Sequence, residues 1–250
     1  MKKEFTVRFA QMNIGICAIY DSMEKCAKDY LTDKEPLFSV FTTEEKIQEE
    51  LQNATSCKLS AAQAEALCLY REIAEKIPYY DGVVFHGAAI EYGGKAYIFT
   101  APSGTGKSTH ISLWKRFLGD RVCIINGDKP ILTRKDSEIL VHGTPFAGKE
   151  GWQTNQSVPL GGICILSRGE KSQIMKVTPK DAFQRLYLQT YKPYQREAME
   201  HTMSLVKMLC QKQCYSLACD ISEEACKISF EALTGESWEE ATATGKGENV

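Results

Sequence analysis

The stretch that decides the fold of this chain runs Ala101-Pro102-Ser103-Gly104-Thr105-Gly106-Lys107-Ser108-Thr109. A short run of apolar and β-branched residues from 95 to 100 precedes it and is typical of a buried strand. After it, Leu113, Trp114 and Phe117 recur at helical spacing, which predicts a helix that ends at Gly119. Strand, tight loop and helix are the setting in which such a sequence binds phosphate.

The residue types in this loop suit an anion. Gly104 and Gly106 allow the backbone to wrap so that its N–H groups point inward, and the helix N-terminus adds partial positive charge. Lys107 can reach the outer phosphates and Ser108 can ligate Mg²⁺. We interpret residues 103–109 as a nucleotide-phosphate site, although Ala101 stands where such loops usually open with glycine. The alternative is a structural turn of similar sequence.

Composition excludes several classes of protein. The hydrophobic share of 43% and the charged share of 25% are those of a globular protein with a real core. A net charge of −2 gives no reason to expect nucleic acid or an anionic membrane as partner. No apolar run approaches a membrane span, and residues 1–9 lack the apolar core of a signal peptide, so we expect a cytoplasmic protein.

The first 80 residues predict an α+β lobe without visible chemistry. We expect one strand or a hairpin over 4–20, a short helix near 23–30, a strand over 36–41 and a helix that begins after Thr43. The clearest element is a helix over 60–76, where Ser60 and Gln63 form a capping box.

A predicted hairpin leads into the phosphate loop. Residues 83–92 form one continuous strand signal, and Gly93-Gly94 is a two-residue turn before the next strand. Pairing about this turn places residues whose numbers sum to 187 opposite each other, so His86 should face Ala101. Its imidazole should then start within reach of a terminal phosphate.

A second acidic candidate follows the loop helix. Residues 121–125 form an apolar strand that ends at Asp128, the position at which a magnesium-binding carboxylate is expected. A hairpin over 131–142, a glycine-rich loop over 143–152 and a strand over 160–166 come next. The C-terminal part predicts helices over 179–213 with a break near Pro193, a strand over 215–221, and a helix from Ser222 to Gly235.

Four ordered blocks carry a family resemblance: His86-Gly87, Ser103 to Thr109, Ile125-Asn-Gly-Asp-Lys-Pro130 and Gly143-Thr-Pro-Phe-Ala-Gly-Lys149. The chain resembles the HPr serine kinase/phosphorylases and, in the loop, the ATP-dependent phosphoenolpyruvate carboxykinases that share their core. The resemblance covers about residues 83–170. It implies an α/β fold with a mixed, largely antiparallel-containing sheet around the phosphate loop.

The resemblance also implies chemistry: phosphoryl transfer from ATP, with Mg²⁺, to a hydroxyl or carboxylate. Members usually hold two adjacent acids after the strand, one to activate the acceptor and one for the metal. Here Gly127 replaces the first and Asp128 remains. His86 could act as the base or steady the phosphoryl group, and the alternative is a hydrogen-bonded core histidine.

Three cations are weaker candidates for the substrate side: Lys129, Lys149 and Arg168. A lysine could neutralise the transferred phosphoryl group or an acidic acceptor, and the alternative is a solvated loop lysine.

Two functions therefore compete. One is a kinase for a small molecule or a peptidyl hydroxyl, and the other is a non-catalytic nucleotide-binding regulatory module, which the missing acid favours. A true carboxykinase would be much longer and carry further arginine and metal-binding residues. We expect an N-terminal α+β lobe over 1–80, a kinase-like core over 81–235 and a mobile tail over 236–250. The acceptor and homo-oligomerisation stay open.

Overall fold

The computed structural model describes residues 2–54 and 58–243. Its N-terminal part is a four-stranded sheet in the order β3-β1-β2-β4, with strands β1 (Lys3–Phe9), β2 (Met12–Ala18), β3 (Leu31–Thr32) and β4 (Phe38–Phe41). Residues 4–20 therefore form a hairpin, which turns through Ala10 and Gln11. Both turn residues have positive φ, 50° and 61°, as a two-residue hairpin turn requires.

Three helices complete the N-terminal lobe: α1 (Ser22–Cys26), α2 (Glu44–Asn53) and α3 (Ala61–Lys76). The capping box predicted at the start of α3 is confirmed: the Ser60 hydroxyl accepts from the backbone N–H of Gln63, and the Gln63 side-chain oxygen accepts from the backbone N–H of Ser60. α3 buries Leu69 and Ile73 against the sheet. The same apolar cluster includes Val84 and Ile131, so the lobe shares its core with the rest of the chain.

The larger sheet has nine strands: β5 (Gly82–Val84), β6 (Ala88–Tyr92), β7 (Lys95–Thr100), β8 (Val122–Asn126), β9 (Ile131–Lys135), β10 (Glu138–His142), β11 (Ser157–Arg168), β12 (Gln173–Lys176) and β13 (Cys214–Cys219). Seven of them follow the order β5-β9-β10-β11-β7-β6-β8, and β13 pairs with β11 and β12. Strand β11 is parallel to β7 and β13, and the other pairs are antiparallel. The predicted mixed sheet is confirmed. Strand β12 was not predicted.

The prediction of a single strand over 83–92 is wrong. The segment is two strands, β5 and β6, which pair with different neighbours. The backbone between them leaves the ladder, since the His86 N–H donates to the Gln189 carbonyl (2.7 Å) and the Gly87 N–H to the Asp128 carbonyl (2.9 Å). The predicted register holds for β6, where Tyr92 faces Lys95 and Ala88 faces Phe99. The break turns His86 out of the strand and toward Asp128.

Helices cover both faces of the large sheet: α4 (Lys107–Leu118), α5 (Pro179–Leu188), α6 (Arg196–Cys210), α7 (Glu223–Thr234) and α8 (Trp238–Ala243). Phe99 of β7 packs with α4, α7 and α8 on one face, and its neighbour Ile98 packs with α5 and α6 on the other. Successive residues of a strand point to opposite faces, so β7 is buried on both sides. This places the loop that follows β7 at the edge of a three-layer core.

The prediction of a mobile tail from residue 236 is wrong for residues 238–243, because these residues form α8. Trp238 is buried, and its ring lies 5.8 Å from that of Phe117 and 5.5 Å from that of Phe230. Residues 244–250 lie outside the described part of the chain. No helix within residues 2–54 and 58–243 has the length and apolar character that crossing a membrane requires.

Candidate functional site

The loop 101–106 joins β7 to α4 in a conformation that needs its glycines. Gly104 has φ of 77° and Gly106 has φ of 117°, values that side chains rarely tolerate. Gly106 is the N-cap of α4 and provides no side-chain cap. The first N–H groups of a helix have no intrahelical partner, and here no side-chain cap occupies them. They carry the partial positive charge of the helix N-terminus, which favours a bound anion.

Lys107 lies at the first turn of α4 with most of its side chain buried. Its Nζ donates to the carbonyl of Ala101 at 3.0 Å, across the loop. Burial lowers the pKa of this ammonium, while the charge of Asp128 raises it and that of Lys129 lowers it. Among residues 2–54 and 58–243 this is the one hydrogen bond of the Lys107 ammonium. A partly desolvated ammonium of this kind is stabilised by an anionic ligand.

A cavity of about 440 Å³ opens above the loop. It is lined by residues of four separate segments: His86, Ser103, Gly104, Gly106, Lys107, Ser108, Thr109, Gly127, Asp128, Gly148, Lys149 and Glu150. Apart from Thr105, all predicted phosphate-binding residues are in this lining, together with His86 and Asp128. The Thr105 hydroxyl instead donates to the Pro102 carbonyl within the loop.

Asp128 is held by a turn at the end of β8. The buried Asn126 side chain accepts from the amides of Asp128 (2.9 Å) and Lys129 (2.6 Å). Its Nδ2 donates to both oxygens of Thr144, which ties this turn to the glycine-rich loop. We did not predict a role for Asn126 from the sequence, although asparagine side chains often form a turn by bonding to the backbone two residues further on. The turn aims the Asp128 carboxylate into the cavity.

His86 reaches the same cavity from the break between β5 and β6. Its Nε2 lies 3.5 Å from Oδ1 of Asp128, and its Nδ1 lies 2.8 Å from Oε1 of Gln189. Burial lowers the pKa of His86, as does the charge of Lys107, whereas Gln189 and Asp128 raise it. Because an amide oxygen only accepts, Nδ1 carries the proton in the neutral ring and Nε2 presents a lone pair.

The glycine-rich loop lies directly against Asp128. Gly148 has φ of 76°, and a Cβ placed on it would lie 3.0 Å from the Asp128 Cβ. A Cβ on Gly127 would lie 3.0 Å from the Ala147 carbonyl oxygen. This close approach brings Lys149 into the cavity lining. Within residues 2–54 and 58–243 the Lys149 ammonium makes no hydrogen bond or ion pair.

The other two candidate cations have different contacts. Lys129 is outside the cavity lining, where its Nζ lies 2.9 Å from Oδ2 of Asp128 and 5.1 Å from the centre of the Tyr70 ring. Arg168 donates from Nη2 to the Gly104 carbonyl at 2.7 Å and lines a second cavity. Lys129 thus forms an ion pair with Asp128, and Arg168 stabilises the loop through its hydrogen bond to Gly104.

A resident metal cage is absent from the described residues, since none of their His, Cys, Asp and Glu side chains form a group of three or more suited to an ion. Asp128 and Ser108 do line one cavity. A carboxylate and a hydroxyl are hard oxygen donors, and Mg²⁺ typically takes one or two such protein ligands together with substrate phosphates and water. The donor set fits Mg²⁺ that arrives with a nucleotide.

Comparisons with known proteins give a family match and distant structural likenesses. No curated protein matches the chain. Among solved structures it is similar to the structure of the Hpr(Ser) kinase/phosphatase from Coxiella burnetii, at 10% sequence identity and a TM-score of 0.35, over 66% of this chain and 99% of that one. A likeness this distant assigns no activity.

The family match covers most of the chain. A family model described as "SynChlorMet cassette protein ScmC" matches residues 49–242, which include the loop, the three predicted catalytic residues His86, Lys107 and Asp128, and the whole of the large sheet. The protein therefore belongs to the ScmC family of SynChlorMet cassette proteins.

Proposed function

We propose that this protein is a phosphotransferase that moves the γ-phosphoryl group of ATP, with the help of Mg²⁺, to a hydroxyl group of a small molecule or a peptide. One observation carries the proposal: His86, Asp128 and Lys107 line a single cavity above an uncapped helix N-terminus. A base, an acid suited to a metal and an anion-binding loop are the parts that phosphoryl transfer to a hydroxyl needs.

In this proposal the loop and Lys107 bind the phosphates. The amides at the start of α4 point at the phosphate chain, and the Lys107 ammonium leaves the Ala101 carbonyl for an outer phosphate oxygen. Ser108 and Asp128 would hold Mg²⁺, which when bound neutralises charge on the β- and γ-phosphate oxygens. Lys149 offers a further positive charge at the rim, where the acceptor enters.

His86 acts on the acceptor. Its Nε2 lone pair takes the proton of the acceptor hydroxyl while the hydroxyl oxygen forms a bond to the γ-phosphorus. The bond from that phosphorus to the β,γ-bridging oxygen breaks, and the electron pair leaves with ADP. Gln189 holds the ring so that Nε2 is the basic nitrogen. Asp128 faces the same nitrogen and stabilises the imidazolium that results.

A second function, a regulatory module that binds nucleotide without turnover, is favoured by Gly127. The contact of 3.0 Å between a Cβ placed there and the Ala147 carbonyl means that an acid at this position would need the loop to shift. If the protein is such a regulatory module, His86 and Asp128 detect the γ-phosphate.

Phosphorus NMR of Mg-ATP separates the two functions. The protein is incubated with a panel of small hydroxyl compounds, serine-containing peptides and cell-extract metabolites. The proposal expects ADP signals and a new phosphoester resonance with the wild-type protein, and neither with His86→Ala. Tight ATP binding without consumption for any acceptor contradicts the kinase and supports the module. Absence of ATP binding contradicts both.

A further inference from the structure

One side chain of the N-terminal lobe, Tyr70 of α3, reaches the surroundings of Asp128. The Lys129 ammonium lies over the Tyr70 ring, 5.1 Å from its centre, and the same nitrogen lies 2.9 Å from Oδ2 of Asp128. The other carboxylate oxygen, Oδ1, lies toward His86. A cation over an aromatic ring is attracted by the negative face of the ring. Ring, cation and carboxylate therefore form one connected series that ends at the first cavity, above the 101–106 loop.

Neighbouring rings and the core fix the Tyr70 ring in place. The ring of Phe146 lies 5.3 Å from it at an angle of 65°, and the ring of Tyr191 lies 6.1 Å from it at 87°. Both are edge-to-face contacts, which aromatic pairs prefer. α3 itself is held by Leu69 and Ile73, which are buried in the apolar cluster that the lobe shares with the large sheet. The ring thus has a defined position relative to Asp128.

The backbone of Lys129 is anchored, whereas its side chain is long and partly exposed. Its N–H donates to Oδ1 of Asn126 at 2.6 Å, and its carbonyl accepts from the Thr144 hydroxyl at 2.9 Å. Asn126 and Thr144 are both fully buried. An ion pair that keeps contact with water is weak, and holding a lysine side chain in one geometry costs entropy. The contact with the Tyr70 ring therefore decides how firmly the ammonium stays beside Asp128.

The ring of Tyr70, and not its hydroxyl, makes this contact. Within residues 2–54 and 58–243 the Tyr70 hydroxyl takes part in no hydrogen bond. Burial raises the pKa of Tyr70, and the charge of Asp128 raises it further, so the phenol is neutral at pH 7. Lys129 is therefore attracted by the face of a neutral ring and not by a phenolate. Phenylalanine at this position should serve equally well.

We propose that Tyr70 is a positioning residue for Asp128: its ring holds Lys129 beside Oδ2, so that the carboxylate keeps the orientation in which Oδ1 faces His86 and the first cavity. The inference rests on the proposed role of Asp128 as a ligand of Mg²⁺ and adds a residue of the N-terminal lobe to the site. Neither Tyr70 nor Lys129 lines the first cavity. Tyr70 therefore acts on a bound nucleotide only through Lys129 and Asp128.

A double-mutant cycle of Tyr70→Leu and Lys129→Met tests the proposal, with Tyr70→Phe as the conservative control. Calorimetry measures ATP binding with and without Mg²⁺ in each protein. Tyr70→Leu should lower the Mg²⁺-dependent gain in ATP affinity about threefold to tenfold, the size of a cation–π contact, and leave metal-free binding unchanged. Tyr70→Phe should match the wild type. In the Lys129→Met background, Tyr70→Leu should have no further effect.

The outcomes separate this inference from the proposed function. A loss of the same size with and without Lys129 would overturn the inference, because Tyr70 would then act through packing alone. So would a wild-type gain in Tyr70→Leu, or a loss in Tyr70→Phe as large as that in Tyr70→Leu. In each of these cases ATP still binds and the proposed function stands. Absence of ATP binding by the wild-type protein contradicts the proposed function itself, and the positioning role falls with it.

Urea unfolding of the same four proteins without nucleotide measures the contact between Tyr70 and Lys129 directly. Tyr70→Leu should cost more stability when Lys129 is present than in the Lys129→Met background. Strictly additive losses would mean that the ring and the ammonium do not interact, which overturns the inference whether or not ATP binds. If Tyr70→Leu does not fold, Tyr70→Met replaces it in both backgrounds, because the flexible methionine side chain fills irregular space in a core.

Discussion

Nε2 of His86 lies 3.5 Å from Oδ1 of Asp128, and both side chains open into the cavity above the 101–106 loop. The pair exists because the strand signal over 83–92 is interrupted and the Gly87 amide bonds to the Asp128 backbone. Two segments that are far apart in sequence are thereby held face to face. The proposed chemistry depends on this pairing.

Replacing His86 tests its role as the base. His86→Ala should leave ATP affinity within a few-fold and lower phosphoryl transfer by about 10²–10⁴, the usual value of general acid–base assistance. His86→Gln is the matched variant, since glutamine can bond to a phosphoryl oxygen but cannot take a proton at neutral pH. A His86→Gln protein with near-normal turnover would show that the residue steadies the phosphoryl group instead.

The pH dependence of turnover should report the same group. Burial and Lys107 hold the pKa of His86 below 6.5, and the neutral ring is the active form. Turnover should therefore be constant above pH 6.5 and fall as the pH drops through the lowered pKa. The Gln189 bond raises this pKa, so Gln189→Met should move the acid limb to lower pH. An acid limb that stays in place in Gln189→Met, or that lies above pH 6.5, contradicts the assignment.

Asp128→Asn should separate a metal ligand from a structural residue. The amide is a weaker ligand for Mg²⁺, so we expect the Mg²⁺-dependent gain in ATP affinity to fall at least tenfold. Metal-free binding should be unchanged or slightly tighter, because a negative charge near the phosphates is lost. Asp120→Asn, at an exposed position just after the C-terminal end of α4, is the control. An equal loss with and without Mg²⁺ would mean that Asp128 only supports the fold.

His142 predicts how stability depends on pH. It is fully buried between Thr133 and Ser157, and burial lowers its pKa to about 4. Between pH 6.5 and 4 the unfolded chain binds more protons than the folded one, so stability is lost as the pH falls through this window. At pH 5 the buried neutral His142 should lower the free energy of unfolding by on the order of 2 kcal/mol.

Urea unfolding at pH 7 and pH 5 measures this effect. His142→Gln should reduce the difference between the two pH values, and the exposed His201→Gln should leave it unchanged. His110 titrates in the same window, so part of the difference should persist in His142→Gln. A pH difference that is the same in wild type and His142→Gln would contradict the prediction.

Local chemistry was sufficient where short-range interactions decide the structure. The capping box at Ser60, the Gly93-Gly94 turn and its register, and the strand–loop–helix around Lys107 all depend on neighbours within a few residues. The placement of Asp128 after β8 followed from the same kind of pattern. These features form the part of the site that we propose binds phosphate.

Features made by distant partners could not be read from the sequence. The strand breaks at His86 because two residues of other segments accept its backbone hydrogen bonds. Gln189 accepts from the His86 N–H and Asp128 accepts from the Gly87 N–H, and the Gln189 side chain also bonds to the His86 ring. α8 lies in a polar stretch and is recognisable only once Trp238 has Phe230 to pack against.

Binding of ATP to the loop is the central claim, and calorimetry of Lys107→Ala tests it most directly. Lys107 supplies the only ammonium that lies both in the loop helix and in the first cavity, so its loss should abolish measurable binding of Mg-ATP. Arg116→Ala removes a positive charge from the exposed face of the same helix and is the matched control. Both variants are checked for an unchanged melting profile. Unaltered Mg-ATP affinity in a folded Lys107→Ala protein would contradict the account.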